Sequence, residues 1–453
     1  MTASPTPRRA FGFWICLALV MGNMIGSGFF LMPASLAPFG WNGAFGWVAT
    51  TAGALCLAVI FGSLAHAFPK AGGAYAYTRQ AFGPTTAFVV AWSYWVSMWV
   101  GNAAIATGLV APLATLFPSI IDHSAIVTIA IVWMVTGINC FSALLTGRVQ
   151  LLTTILKFAA LVAVVLLAAL VIGRSGGEVL PPIRLQDLGF GGETGIAAAA
   201  ALTLWSFLGL ESATVPAERV KDPSRTIPRA TLAGTAITGC IYLFACSAVA
   251  LLLPVEQVVK SGAPMADFVA LYWGPFAGTM MAAAAVVSAF GALNGWVLLQ
   301  GEMPWAMAKD GVFPRFLAKT SSRGTPLRAH IVASLLVTLV ISFNFTRSIG
   351  DLFQFLILLA TSAALVVYLA CSVGALRLAR QGRLPAGRAR LLVFLLAALF
   401  SCWALYGAGV ESLLWGMVLL LSGIPIHFLM RRNLPPGETV SSLGPDDQEL
   451  NDA

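Results

Sequence analysis

Charge is scarce in this chain: Asp, Glu, Lys and Arg make up 10% of its 453 residues, where a soluble domain carries about 25%. That shortage excludes an ordinary soluble fold. Histidine is scarcer still. The four present, His66, His123, His330 and His427, form no HExxH or paired set, so no metal centre is expected. The seven cysteines include no CxxC pair and all lie in apolar runs. They read as small buried hydrophobes rather than a disulfide or zinc framework. The glycine-rich phosphate loop of an ATPase is missing, as are the short alternating stretches of a membrane barrel. Paired aspartates or a histidine set, which an intramembrane enzyme would need, are missing too. The chain is read as a non-enzyme without cofactor.

What it has is apolar sequence: 58% of residues are hydrophobic and the mean hydropathy is +0.87. Runs of about twenty apolar residues imply helices, since hydrocarbon offers the backbone no other hydrogen-bond partner. The expected fold is an all-α membrane protein of about twelve spans. They are placed at 11–37, 43–66, 84–112, 124–143, 150–173, 194–217, 230–254, 265–303, 329–346, 351–376, 391–409 and 412–430. Of the 26 Lys and Arg, 21 then fall in one set of alternate loops and 4 in the other, with Lys157 inside the fifth span. That asymmetry predicts both termini in the cytoplasm. The net charge of +8 is therefore topology, not a sign of nucleic-acid binding. Arg8 and Arg9 precede an apolar run with no small-residue cleavage site, so the first helix is expected to be retained. Residues 433–453 are polar and acidic after Pro435-Pro436, and predict a disordered cytoplasmic tail.

Two spans carry residues that a lipid-facing helix has no use for. The first contains GNMIGSGFF, Gly22 to Phe30. Glycine costs about 1 kcal/mol against alanine inside a helix. The cluster fits either close helix packing through Gly22-xxx-Gly26 or an unwound stretch. In the second case the amides of Gly26, Ser27 and Gly28 open a half-helix whose positive end suits a carboxylate. The sixth span contains LWSFLGLESA, with Glu211 beside Ser206, Gly209 and Ser212. A carboxyl inside the membrane costs several kcal/mol unless it is neutral, paired or facing water, and marks a functional site. Interruptions in the first and sixth spans suit two five-helix repeats of inverted topology, 11–192 and 193–378. Residues 1–10 would precede them, and 379–432 would hold spans eleven and twelve. In the third span Tyr94, Met98, Asn102 and Ile105 share a face, where Asn102 either bridges helices or serves the site. Trp205 and Trp296 sit away from span ends, unlike belt tryptophans, and a tryptophan face can hold a cation.

GNMIGSG, PKAGGAYAYTRQAFG (69–83), WSFLGLES, VKDPSRTIP (220–228), Gly295-Trp296 and AKDGVFP (308–314) resemble the amino acid–polyamine–organocation (APC) transporters. Within them the chain is most similar to the basic amino acid/polyamine antiporters, in particular those that exchange arginine for agmatine. The resemblance spans essentially the whole chain. It implies the LeuT-like arrangement of ten core helices and two peripheral ones, in a homodimer in the bacterial inner membrane. It also implies a substrate site around Asn23, Met24, Ile25, Gly26, Ser27 and Gly28. Ser27 and Gly28 would receive the carboxylate, and the carbonyls of Met24, Trp205 and Leu208 the α-amino group. Trp296 would stack on the side chain, with Asn102 near its far end. Tyr94, Trp205 and Phe353 would be gates, and Glu211 a pH-responsive carboxyl. The sequence departs from the pattern in the distal pocket: Ser97 and Met98 replace alanine and cysteine, Ile105 a methionine, and Ala360 a serine.

The resulting expectation is alternating-access exchange of a basic, arginine-like amino acid for its decarboxylated amine. The alternative is a permease for neutral or aromatic amino acids driven by a proton or substrate gradient.

Overall fold

The computed structural model describes residues 9–192, 194–343, 349–407 and 410–432. Among these there is no strand, only an isolated parallel bridge between Phe11 and Val220. The chain opens with α1 (Phe13–Met24) and α2 (Ser27–Leu36), then α3 (Trp41–Ala67), α4 (Ala74–Phe82), α5 (Pro84–Leu116), α6 (Ser124–Phe141) and α7 (Ala143–Arg174). It continues with α8 (Ile196–Leu204), α9 (Pro223–Leu252), α10 (Val255–Lys260), α11 (Pro264–Trp273) and α12 (Pro275–Lys309). The last helices are α13 (Leu327–Phe343), α14 (Ile349–Arg380), α15 (Arg388–Gly407) and α16 (Val410–Arg432).

By length and composition, nine stretches among the described residues can cross a membrane, or ten if α1 and α2, bent by 41°, count as one span. Two shorter apolar helices, Leu327–Ser342 and Leu413–Pro425, stand beside them. The chain is thus a multi-pass helical membrane protein. Residues 265–303, read as one span, divide at Gly274 into the short α11 and the long α12. The loop 69–83 likewise folds into α4 before α5 begins. Both junctions are a Gly-Pro corner: Gly83 (φ 86°) before Pro84 and Gly274 (φ 92°) before Pro275. Proline at the first helical position gives up an amide that would have been unpaired anyway.

The centre of the bundle is α5, whose apolar window is 83% buried, against 28% for those of α6–α7 and α15. It packs on α12 and α14, while Ile126, Leu152 and Leu399 on the outer helices stand exposed for lipid. The central position of α5 brings Tyr94 against Glu211 of the sixth span and Asn102 against Gln300 of α12.

Candidate functional site

The first span breaks where the glycines stand. Helix α1 ends at Met24, Ile25 and Gly26 are non-helical, and α2 restarts at Ser27. The two readings of the glycine cluster divide between residues: Gly22 is helical and packed on Gln150 and Thr154, and Gly26 lies in the break. The first amides of α2 have no partner within their helix, so this end is a ready anion site. The sixth span breaks differently from a pair of half-helices. After α8, Trp205–Phe207 forms a 3-10 turn, Leu208 is extended, and 3-10 turns follow at Ser212–Thr214 and Ala217–Arg219. Gly209 has φ 103°, and a Cβ there would lie 2.9 Å from Asn23 Cβ and 3.1 Å from the Trp296 ring. Only glycine satisfies both conditions.

Side chains tie the two breaks together. Asn23 Nδ2 donates to Ser212 Oγ at 2.8 Å, and Trp296 Nε1 to the Asn23 carbonyl at 3.1 Å. Lys157, fully buried on α7, donates to the carbonyls of Gly22 (2.8 Å), Ile25 (2.6 Å) and Ser288 (3.1 Å). An ammonium has three donors, and two of these acceptors lie at the negative C-terminal end of α1. The break is therefore electrostatically asymmetric. Its α1 end is filled by the protein's own cation, and the first amides of α2 have no such charged side chain among these contacts.

Between the breaks lies a cavity lined by Asn23, Met24, Gly26, Gly28, Phe29, Ile105, Trp205, Leu208 and Trp296. It holds about 20 Å3, room for about one water. Trp205 closes it, since a Cβ on Gly28 would sit 2.5 Å from Trp205 Nε1. The space left beside Trp205 is too small for an amino acid.

Glu211, which does not line the cavity, is fully buried. Tyr94 donates to its Oε1 at 2.5 Å and Tyr368 to its Oε2 at 2.6 Å, while Tyr368 accepts from the Gly209 amide at 3.3 Å. Both oxygens are thus bonded by phenols from α5 and α14.

Of the expected site residues, Asn23, Met24, Gly26, Gly28, Trp205, Leu208 and Trp296 meet at the cavity. Ile25 does not line it, and its carbonyl is held by Lys157 and Ser288. Asn102 donates to Gln300 Oε1 at 2.7 Å, Ser97 to the Tyr94 carbonyl at 2.7 Å, and Met98 is buried beside them. A Cβ on Gly101 would lie 3.8 Å from Ala360 and 3.9 Å from Trp205, so both approach α5 at this glycine. The side chains of Ser27 and Phe353 lie outside the described residues. Sequence reasoning missed Phe29, Lys157, Gln300 and Tyr368. The intramembrane charge of Lys157 was the available signal, equal in kind to that of Glu211.

Two interrupted spans around a small buried cavity are the arrangement of a secondary transporter with discontinuous helices. The particular family follows from comparison: the chain belongs to the amino acid permease family, whose pattern matches residues 11–420. It is 31% identical over 457 residues to a putative arginine/ornithine antiporter of Bacillus subtilis, covering 92% of this chain and 96% of that one. A cadaverine/lysine antiporter of Escherichia coli is 31% identical over 410 residues, with 88% and 90% covered. The putrescine transporter PotE of Haemophilus influenzae is 28% identical over 430 residues, with 90% and 94% covered.

Proposed function

We propose that this chain exchanges a basic amino acid for an amine across a bacterial inner membrane by alternating access. The observation that carries the reading is one cavity offering both an open helix N-terminus and tryptophan faces. The α2 amides of Ser27 and Gly28 suit a carboxylate, the carbonyls of Met24, Trp205 and Leu208 an α-amino group, and Trp296 a cationic side chain. Relatives named for arginine, ornithine, lysine, cadaverine and putrescine carry one or two amines of this kind. Ser97, Met98, Asn102 and Ala360 would then meet the far end of the substrate. Trp205, Tyr94 and Phe353 would gate it.

The ten crossing stretches, counting the bent pair, and the two shorter apolar helices match twelve spans. Two inverted repeats, 11–192 and 193–378, are supported by matching irregularities five spans apart. Breaks fall in the first and sixth spans, and short helices with Gly-Pro corners precede the third and eighth. Both termini would be cytoplasmic and the unit a homodimer.

Glu211 is the proton-responsive group of this scheme. A carboxylate accepts from both phenols, and protonation converts one of those acceptor oxygens into a donor. Tyr94 or Tyr368 must then rearrange, which couples the proton to the packing of α5 and α14.

The test is exchange in proteoliposomes. Vesicles loaded with arginine, lysine or a diamine should take up labelled arginine far faster than empty ones. Equal uptake by loaded and empty vesicles would overturn exchange. Preferred uptake of a neutral or aromatic amino acid would overturn the substrate class.

A further inference from the structure

We propose that a groove at the basic end of the bundle, away from the transport site, holds one anionic phospholipid. The groove has a volume of about 510 Å3. Its walls are the end of α3 (Ala58, Val59, Gly62, Ser63, His66), the start of α9 (Pro228, Leu232) and the turn into α15 (Leu384, Pro385, Arg390). From Ala58 to His66 it runs about 12 Å along the helix. Its lining changes character along that length, being apolar toward Ala58 and polar at His66 and Arg390.

The polar end is built for an anion. Arg390 makes one long hydrogen bond, to the Pro385 carbonyl at 3.3 Å. Among the described residues no further bond takes its guanidinium fork, and a phosphate can take it bidentately. His66 uses one ring nitrogen toward the Ser224 carbonyl at 3.0 Å. Among the described residues no carboxylate lines the groove, and Asp222, in the loop before α9, pairs with Arg225 at 3.9 Å. Arg229 and Arg388 add exposed charge in the adjoining segments. The occupant must combine an apolar body with an anionic head at the membrane boundary, and a phospholipid of an anionic leaflet does so. The acidic stretch 433–453 supplies charge but only four aliphatic residues larger than alanine, Leu434, Val440, Leu443 and Leu450.

A ligand that binds only the folded state raises its unfolding temperature. In detergent, phosphatidylglycerol should raise the midpoint of the full chain by several degrees more than phosphatidylcholine does. Arg390→Gln should remove more than half of that difference while leaving the lipid-free midpoint and exchange activity unchanged. Leu232→Trp, which fills the groove from a partly exposed position, should do the same. Equal responses to the two lipids, or a full phosphatidylglycerol response in Arg390→Gln, would overturn the proposal. Inorganic phosphate reproducing the effect would indicate a free-anion site instead. Loss of the effect on deleting 433–453 would assign the groove to the tail. A changed oligomeric state in Leu232→Trp with an intact lipid response would assign it to a second copy.

Discussion

At the scale of single residues, the proposed proton-responsive role of Glu211 rests on its two hydrogen bonds. Tyr94 and Tyr368 donate to its two oxygens at 2.5 and 2.6 Å, an arrangement that suits the ionised group, which only accepts. A proton added to either oxygen leaves one phenol without its acceptor. Lowering pH should therefore loosen the contact between α5, α14 and the sixth-span break, and exchange should speed up. Glu211→Gln keeps the size and one acceptor but cannot change charge, so its exchange rate should be nearly flat from neutral to acid pH. Exchange by Glu211→Gln that retains the parent's full pH dependence, with the protein folded, would end the proton-sensing role.

At the scale of elements, the two breaks were legible because their residues contradict an ordinary apolar helix. GNMIGSG and Glu211 each carry a cost that packing alone does not repay. The finer geometry was not legible. That the sixth span continues as 3-10 turns depends on Gly209 having φ 103° against Asn23 and Trp296, contacts that lie far away in sequence on either side. The division of 265–303 into α11 and α12 was visible only as Gly274-Pro275, which a hydropathy window averages away. Lys157 stood out as an intramembrane charge, but its partners are backbone carbonyls and leave no trace in side-chain patterns.

Its bonds to Gly22, Ile25 and Ser288 pin the break of the first span to α7 and α12. Lys157→Met keeps the apolar stem and strips all three donors. A buried carbonyl left unsatisfied costs about 1–3 kcal/mol, so the variant should unfold at a distinctly lower temperature. It should also lose exchange, because the end of α1 is no longer fixed beside the cavity. Unchanged stability and exchange would show that water replaces the ammonium and that the brace is dispensable.

At the scale of the molecule, three ion pairs hold segments together at the basic end. Arg219, in the turns after the sixth-span break, pairs with Glu302 of α12 at 2.6 Å, both side chains being nearly fully buried. Arg219 also donates to the Gly324 carbonyl at 2.9 Å. Arg79–Asp310 and Lys309–Glu218 join the same region at 2.5 and 3.2 Å. Phe11 brackets it by accepting from the Lys221 amide and donating to the Arg219 carbonyl. In the alternating-access cycle proposed above, opening toward this side would separate Arg219 from Glu302, so the pair would bias the equilibrium between the two access states. Removing one partner of a buried pair costs about 3–5 kcal/mol, whereas replacing both with apolar groups is often neutral. Arg219→Met and Glu302→Met should each be strongly destabilised, and the double variant should recover most of the loss. The double variant lacks the latch, however, and its population should shift toward the state open on the basic side. Its apparent affinity for substrate offered from that side should rise relative to the opposite side, read as half-saturating concentrations in oriented vesicles. A double variant as unstable as the single ones, or one with unchanged sidedness, would show that the pair holds the fold without weighting the transport cycle.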